Sequence, residues 1–126
     1  MPGACAFHEE QFMPDDYGKR IAQLNDTFRQ TFRGGQVLIT RGVQALGRSR
    51  VRRAITTVQM FSRFTENNDP YGEHDFGNFE IDGESLYWKI DYYTRPLDWG
   101  NPLGSTDPSD PSRTTRVLTI LLASEY

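Results

Sequence analysis

One short segment of this sequence concentrates the side chains that could do chemistry. Residues 67–77 read NNDPYGEHDFG and hold Asp69, Glu73, His74 and Asp75 among a proline and two glycines. Imidazole and carboxylate groups are the ligands that zinc, manganese and iron sites use. Glu73, His74 and Asp75 are therefore the candidate metal ligands, and a metal-assisted hydrolase is one function that this segment suggests.

The spacing within the segment favours a plainer interpretation. Adjacent residues of an extended chain point to opposite faces, so only Glu73 and Asp75 would share a face. The other histidine, His8, lies in an unpatterned N-terminal stretch. An ordered turn, whose Asp and His side chains bond the amides of the loop, explains the same residues without a metal. A recognition loop is a third interpretation.

Four arginines, at positions 48, 50, 52 and 53, lie at the start of a predicted helix. The helix dipole repels cations at that end, so something negative is expected beside them. One candidate is a phosphate or carboxylate of a bound nucleic acid or acidic protein. The other is an acidic group of the same chain. Arg48, Arg50, Arg52 and Arg53 are thus candidate binding residues.

Residues 94–115 contain prolines at 96, 102, 108 and 111 and show no periodicity, which is typical of a long functional or disordered loop. Acids and aromatic residues gather on or beside it: Tyr92, Tyr93, Asp98, Trp99, Asp107 and Asp110. Aromatic anchors are frequent hot spots of protein recognition, so Tyr92, Tyr93, Asp98 and Trp99 are candidate binding residues. Alternatively, Trp99 attaches the loop to the domain.

Charge is distributed unevenly along the 126 residues, whose net charge is −3. Residues 1–16 carry a charge of −4, residues 17–63 of +9 and residues 64–126 of −8. Two binding surfaces of opposite sign would explain this pattern, and so would pairing between the two halves of one domain.

Periodicity predicts six elements. Helices are expected at about 17–32 and, with Ser49 as N-cap, at about 50–64. Strands are expected at 36–41, 78–82, 85–93 and 116–123, with Asp82-Gly83 as a two-residue hairpin turn. The order α-β-α-β-β-β indicates an α+β domain over residues 17–126, with two helices on one face of a mostly antiparallel sheet of about four strands. Residues 1–16 are expected to form a flexible acidic tail.

The sequence lacks the motifs of several functional classes. No apolar run approaches the roughly 20 residues that span a bilayer, and the N-terminus lacks the features of a signal peptide, so a cytoplasmic protein without membrane contact is expected. Cys5 stands alone, which excludes an internal disulfide. No nucleophile elbow, dinucleotide-binding glycine motif or P-loop is present, so no cofactor and no named nucleophile are expected. This favours a non-enzymatic protein.

Four stretches of the chain resemble a bacterial family, domain of unknown function 3768: RIAQLNDTFRQTF, NNDPYGEHDFGNFEIDG, KIDYY and TTRVLTILLASEY. The resemblance runs from about residue 20 to residue 126. It implies a single-domain protein of proteobacteria, often encoded on plasmids and other mobile elements, and it implies no activity. The four arginines and the Asp-Pro run at 107–111 fall outside the pattern of the family.

Together, these observations predict a non-enzymatic interaction protein of a bacterial mobile element, which binds a host or defence protein. A counter-defence inhibitor would be one form of it. A nucleic-acid-binding protein that uses the arginines is the first alternative, and the metal-assisted hydrolase is the second.

Overall fold

A computed structural model describes the backbone of residues 14–126 and the side chains of residues 16–126. The predicted tail falls mostly on residues 1–13, which lie outside the described residues, as do Cys5 and His8. Residues 14–16 already belong to the first helix, which begins three residues before the predicted start.

The chain forms two main helices and four strands, which confirms the predicted α+β class. The elements are α1 (Pro14–Thr31), β1 (Gly35–Ile39), a short α2 (Arg41–Gln44), α3 (Arg48–Gln59), β2 (Phe76–Ile81), β3 (Glu84–Thr94) and β4 (Thr114–Leu122), followed by a 3₁₀ turn (Ala123–Glu125). The order of the main elements is the predicted one. The short α2, which Thr40 caps through its side chain, was not predicted.

The four strands form one mixed sheet in the order β1-β4-β3-β2. β2, β3 and β4 pair antiparallel, whereas β1 pairs parallel with β4. The helices carry the chain from β1 to β2 at the opposite edge of the sheet. The consecutive antiparallel strands β2, β3 and β4 then bring it back beside β1, where β4 runs parallel to β1. β1 and β2 are the two edges.

The predicted hairpin turn joins β2 to β3. Asp82 and Gly83 have φ values of 52° and 84°, both in the left-handed region that a type I′ turn requires. Asp and Gly are among the residues that adopt this conformation most readily, so the turn follows from the local sequence.

The core lies between the inner face of the sheet and the two main helices. Trp88 of β3 is its largest fully buried side chain, and it contacts Phe61 and Phe64 edge-on. The helices contribute their apolar stripes: Ile21 and Phe28 from α1, and Ala54 and Val58 from α3.

The second main helix is shorter than its periodicity predicts. It runs from Arg48 to Gln59, with Gly47 rather than Ser49 at the N-cap, and it stops five residues before Phe64. The side chain of Arg29 donates hydrogen bonds to the carbonyls of Val58, in the last turn of the helix, and of Phe61, just beyond it. Phe64 is thereby free to pack beside Trp88.

Residues 95–113 form the long loop, and hydrogen bonds attach it to the domain. Gly104 bridges to Tyr93 at the edge of β3. Arg20 of α1 donates to the carbonyl of Ser109. Asp98, Asp107 and Asp110 each accept the backbone amide two residues ahead, so these acids stabilise local turns.

Within residues 14–126, no helix combines the length and the apolar character that crossing a bilayer demands.

Candidate functional site

A cluster of polar side chains lies where α1, the turn before β2, β3 and β4 meet. We call it the polar cluster; its members are Asn25, Asp26, Arg29, Asp69, Glu73, His74, Asp75, Tyr92 and Arg116. The three residues predicted as metal ligands all belong to it. It also includes residues far away in the sequence, which only the fold brings together.

The inner half of the polar cluster is centred on Asn25, which is fully buried. Its Oδ1 accepts a hydrogen bond from Arg116 Nε at 2.7 Å. Its Nδ2 donates to the Tyr92 hydroxyl at 2.8 Å and to the carbonyl of Glu73 at 2.9 Å. The Tyr92 hydroxyl in turn donates to Glu73 Oε1 at 3.2 Å. One asparagine thus links α1 to the turn and to both central strands.

The outer half of the polar cluster contains a histidine and a carboxylate. His74 Nδ1 lies 2.9 and 3.0 Å from the two carboxylate oxygens of Asp26, so Nδ1 carries the proton. Asp26 Oδ1 also accepts from Arg29 Nη1 at 2.8 Å. Phe64 stacks on the imidazole, with ring centroids 3.9 Å apart. The imidazole is therefore held on one side by charge and on one face by an aromatic ring.

Asp69 shapes the turn that presents His74. Its Oδ1 accepts the backbone amides of Glu73 and His74 at 3.0 and 3.1 Å. His74 has a φ of 56°, a conformation that is uncommon outside glycine and that histidine adopts more readily than most residues. The other ring nitrogen, Nε2, lies 3.7 Å from Asp69 Oδ2, too far for a hydrogen bond.

Burial controls the electrostatics of the polar cluster. It raises the pKa of Glu73 above the usual range, and the charge of nearby Asp75 raises it further. Burial is also the main reason why the pKa of Asp75 is raised. The same desolvation raises the pKa of Tyr92 and lowers that of Arg116. The fold therefore holds two carboxylates in surroundings that favour their protonated forms.

The polar cluster does not place its donors around a common point. Among the residues that the structure describes, no three His, Cys, Asp or Glu side chains are arranged to hold a metal ion. Glu73 faces Tyr92, whereas His74 faces Asp26. These contacts resemble the predicted ordered turn more closely than a coordination site.

Two of the four arginines at the start of α3 are paired within the chain. Arg50 Nε lies 2.9 Å from the Asp82 carboxylate, and Arg53 donates to both of its oxygens at 2.9 and 3.0 Å. These bonds lower the pKa of Asp82 to about 2. Arg48 and Arg52 are exposed, and neither has an ion pair with another residue of the described chain.

The four candidate binding residues of the long loop and β3 lie in different places. Tyr92 points into the polar cluster. Tyr93 points to the opposite face of the sheet, where its ring meets Trp99 at a centroid distance of 5.7 Å. Trp99 Nε1 donates to Gln36 Oε1 at 3.3 Å. Asp98 is exposed and accepts the amide of Gly100.

Trp99 remains half exposed, at 50%, although it is held from two sides. Leu38, two residues after Gln36 on the same face of β1, is 43% exposed. We call this patch the Trp99 surface; it comprises Gln36, Leu38, Tyr93 and Trp99. It lies on the face of the sheet opposite to the helices.

The sequence predictions omitted Asn25, Asp26, Arg29 and Arg116. A signal for Asn25 was available, because it lies four residues after Ile21 and three before Phe28, on the apolar stripe of α1. Arg116 likewise lies two residues before buried Leu118 in β4, on the same face of the strand. A polar residue in a core position predicts a buried polar network, although not its partners.

All four stretches that carry the family resemblance contribute side chains to the polar cluster. No curated protein matches the chain, and neither does any solved structure. A family profile described as "Protein of unknown function (DUF3768)" matches residues 39–125, well over half of the sequence. The chain belongs to the DUF3768 family.

Proposed function

We propose that this protein acts by binding another protein through the Trp99 surface. The observation that carries the proposal is a half-exposed tryptophan whose orientation is set by Tyr93 and Gln36. Tryptophan is among the residues that contribute most to protein–protein affinity. A ring that is already positioned loses little conformational freedom when a partner covers it, so more of the contact energy contributes to binding.

Leu38 supports the proposal independently of the loop. It is a large apolar residue on an edge strand, and it is nearly as exposed as Trp99. A patch of apolar side chains rimmed by polar ones, such as Gln36 and Asp98, is typical of a protein interface.

The bonding of the polar cluster is consistent with a non-enzymatic protein. Asn25, Arg29 and Arg116 are buried and use their donors within the fold. Asp26 accepts hydrogen bonds from both Arg29 and His74. Groups used in this way stabilise a structure, and we assign the polar cluster that role.

The partner that we propose is a host or defence protein, and the setting is a bacterial mobile element, as the family resemblance implies. Inhibition of a defence protein would be the specific form. Nucleic acid is the second candidate ligand, because Arg48 and Arg52 are exposed and have no ion pair with residues 16–126.

The test begins with purification of the tagged full chain from bacterial lysate, with and without nuclease, followed by identification of the retained proteins. The affinity of the purified partner is then measured for Trp99→Ala and Leu38→Glu. Each change should weaken binding by about tenfold or more, as expected for a hot spot.

The matched control is Tyr71→Ala, which removes an 83% exposed aromatic ring from the turn before β2. It should leave the affinity unchanged. Equal binding by the wild type and by both Trp99-surface variants would place the partner elsewhere. Retention that disappears on nuclease treatment would favour nucleic acid as the ligand.

A further inference from the structure

The edge strand β2 offers unpaired backbone groups. In the antiparallel β2–β3 pair, the amide of Ile90 donates to the carbonyl of Asp75, which identifies these two residues as a hydrogen-bonded pair. Hydrogen-bonded and non-hydrogen-bonded residue pairs alternate along two antiparallel strands. The backbone groups of Gly77 and Phe79 therefore bond β3, whereas Asn78 and Glu80 direct their N–H and C=O groups away from it. No other described strand pairs with this side of β2.

A groove runs beside these groups. A depression of about 660 Å³ borders Asn78 and Glu80 and extends to Arg63. Two smaller depressions, of about 410 and 370 Å³, continue it along the exposed side of α3 through Thr56 and Thr57. The three share lining residues, so an extended segment could lie between α3 and the edge of β2.

Positive charge dominates the wall of the groove. Arg52, Arg53 and Arg63 line it, against the single carboxylate of Glu80. Arg53 is bonded to Asp82, whereas Arg52 and Arg63 have no ion pair with residues 16–126. A ligand in this groove therefore meets two cationic side chains that the described part of the fold does not neutralise.

We propose that this groove binds an extended, acidic peptide segment of a protein partner, which adds as a strand to β2. The backbone of the peptide would pair with Asn78 and Glu80, and its acidic side chains would face Arg52 and Arg63. This site lies at the edge opposite to β1 and is independent of the Trp99 surface.

The exposed edge favours a peptide over a nucleic acid. Asn78 and Glu80 present carbonyl acceptors as well as N–H donors, and a peptide backbone satisfies both. A phosphate backbone has only acceptors, so it would leave the outward carbonyls of Asn78 and Glu80 unpaired.

The test uses the full chain and a short labelled peptide of alternating glutamate and valine, whose binding is measured by fluorescence anisotropy at low and moderate salt. The glutamate peptide should bind, and salt should weaken the binding. A matched lysine–valine peptide and oligo(dT) should bind at least about tenfold more weakly. Failure of the glutamate peptide to bind at low salt, or tighter binding of oligo(dT), would overturn the proposal.

Substitutions along the groove test where on the protein the peptide binds. Asn78→Pro removes an outward N–H without breaking a bond to β3, and it should weaken binding by about tenfold. Arg52→Glu and Arg63→Glu should each weaken it as well. The control is Arg33→Glu, which makes the same charge change near the opposite edge of the sheet and should not alter the affinity.

Hydrogen exchange of the unaltered chain decides the question even if a variant fails to fold. The amides of Asn78 and Glu80 should exchange rapidly in the free protein and at least about tenfold more slowly in the peptide complex. The amide of Phe79, which bonds β3, should be slow in both. Unchanged exchange at Asn78 and Glu80 in a saturated complex would exclude strand addition.

Discussion

Arg116 Nε donates a hydrogen bond to Asn25 Oδ1 across 2.7 Å, although 91 residues separate the two in the chain. Arg116 is 4% exposed and Asn25 is 0% exposed. The guanidinium also donates to the carbonyl of Pro108 and lies over the ring of Tyr92. A buried cation is thus held by neutral acceptors, and α1, β4 and the long loop are joined at one point.

Asn25→Ala should destabilise the protein by about 3 kcal/mol, because it leaves Arg116 with an unsatisfied buried donor and removes two further hydrogen bonds. Urea unfolding followed by circular dichroism measures the change. The control is Asn101→Ala in the exposed part of the long loop, which should cost less than about 0.5 kcal/mol. Equal stabilities of the two variants would show that the bond is dispensable.

Because the pKa of Glu73 is raised, the contribution of this residue to folding stability depends on pH in a definite direction. The folded state holds the proton of Glu73 more tightly than the unfolded chain does, so its contribution is most favourable when the carboxyl is protonated and is lost as the pH rises through the raised pKa. Glu73→Gln should therefore gain stability relative to the wild type as the pH rises from about 4 to neutrality.

Unfolding free energies of the Glu73 variant and the wild type, measured across that range, check this expectation. Glu66→Gln, at an exposed position of the same turn region, is the control and should show no such trend. A gain for Glu73→Gln that shrinks with rising pH would contradict the argument.

Asp82 should behave in the opposite way. Its folded pKa is about 2, against an ordinary value of 3.8, so the stability that it contributes is present above about pH 4 and is lost as the pH falls toward 2. Asp82→Asn should unfold more easily than the wild type at neutral pH, and the difference should close in acid. Asparagine also tolerates the positive φ of this position, so the turn itself is preserved.

Denaturant midpoints of the wild type and Asp82→Asn at several pH values measure this closure. Glu84→Gln removes a neighbouring exposed carboxylate that has no ion pair within residues 16–126, and it serves as the matched control. A difference between the wild type and Asp82→Asn that stays constant down to pH 2 would mean that the bonds to Arg50 and Arg53 contribute nothing.

Gly77 should not tolerate a side chain. A Cβ there would clash with Trp88 Nε1 and lie 2.6 Å from Phe61 Cζ. Trp88 is fully buried, so Gly77→Ala should cost about 1–3 kcal/mol through overpacking. Thermal unfolding measures the cost. Gly104→Ala is the control, because nothing lies within 4 Å of its added Cβ, and the prediction fails if both variants melt alike.

Local patterns in the sequence determined much of the secondary structure. Asp82-Gly83 specifies a type I′ turn by the conformations that these residues accept. The alternation of Leu86, Trp88 and Ile90 predicted the buried face of β3, because side chains of a strand alternate between faces. The stripe that contains Ile21 and Phe28 likewise predicted the buried face of α1.

Interactions between distant residues decided where some elements end and how the strands pair. The stripe of α3 predicted a helix to Phe64, yet the helix stops at Gln59. Near that end, Arg29 of α1 donates hydrogen bonds to the carbonyls of Val58 and Phe61. The parallel pairing of β1 with β4 also has no local signal, because it depends on how the chain crosses the sheet.

For the functional surfaces as well, the sequence indicated individual residues, and the tertiary structure determined which residues they contact. The sequence indicated His74 and Trp99 as notable residues, since the residue type alone gives the chemistry of a side chain. Only the tertiary structure placed Asp26 against His74, Asn25 against Arg116 and Asp82 between two arginines. A hydrogen bond or an ion pair needs two groups within a few ångströms, and the folded backbone alone determines that distance.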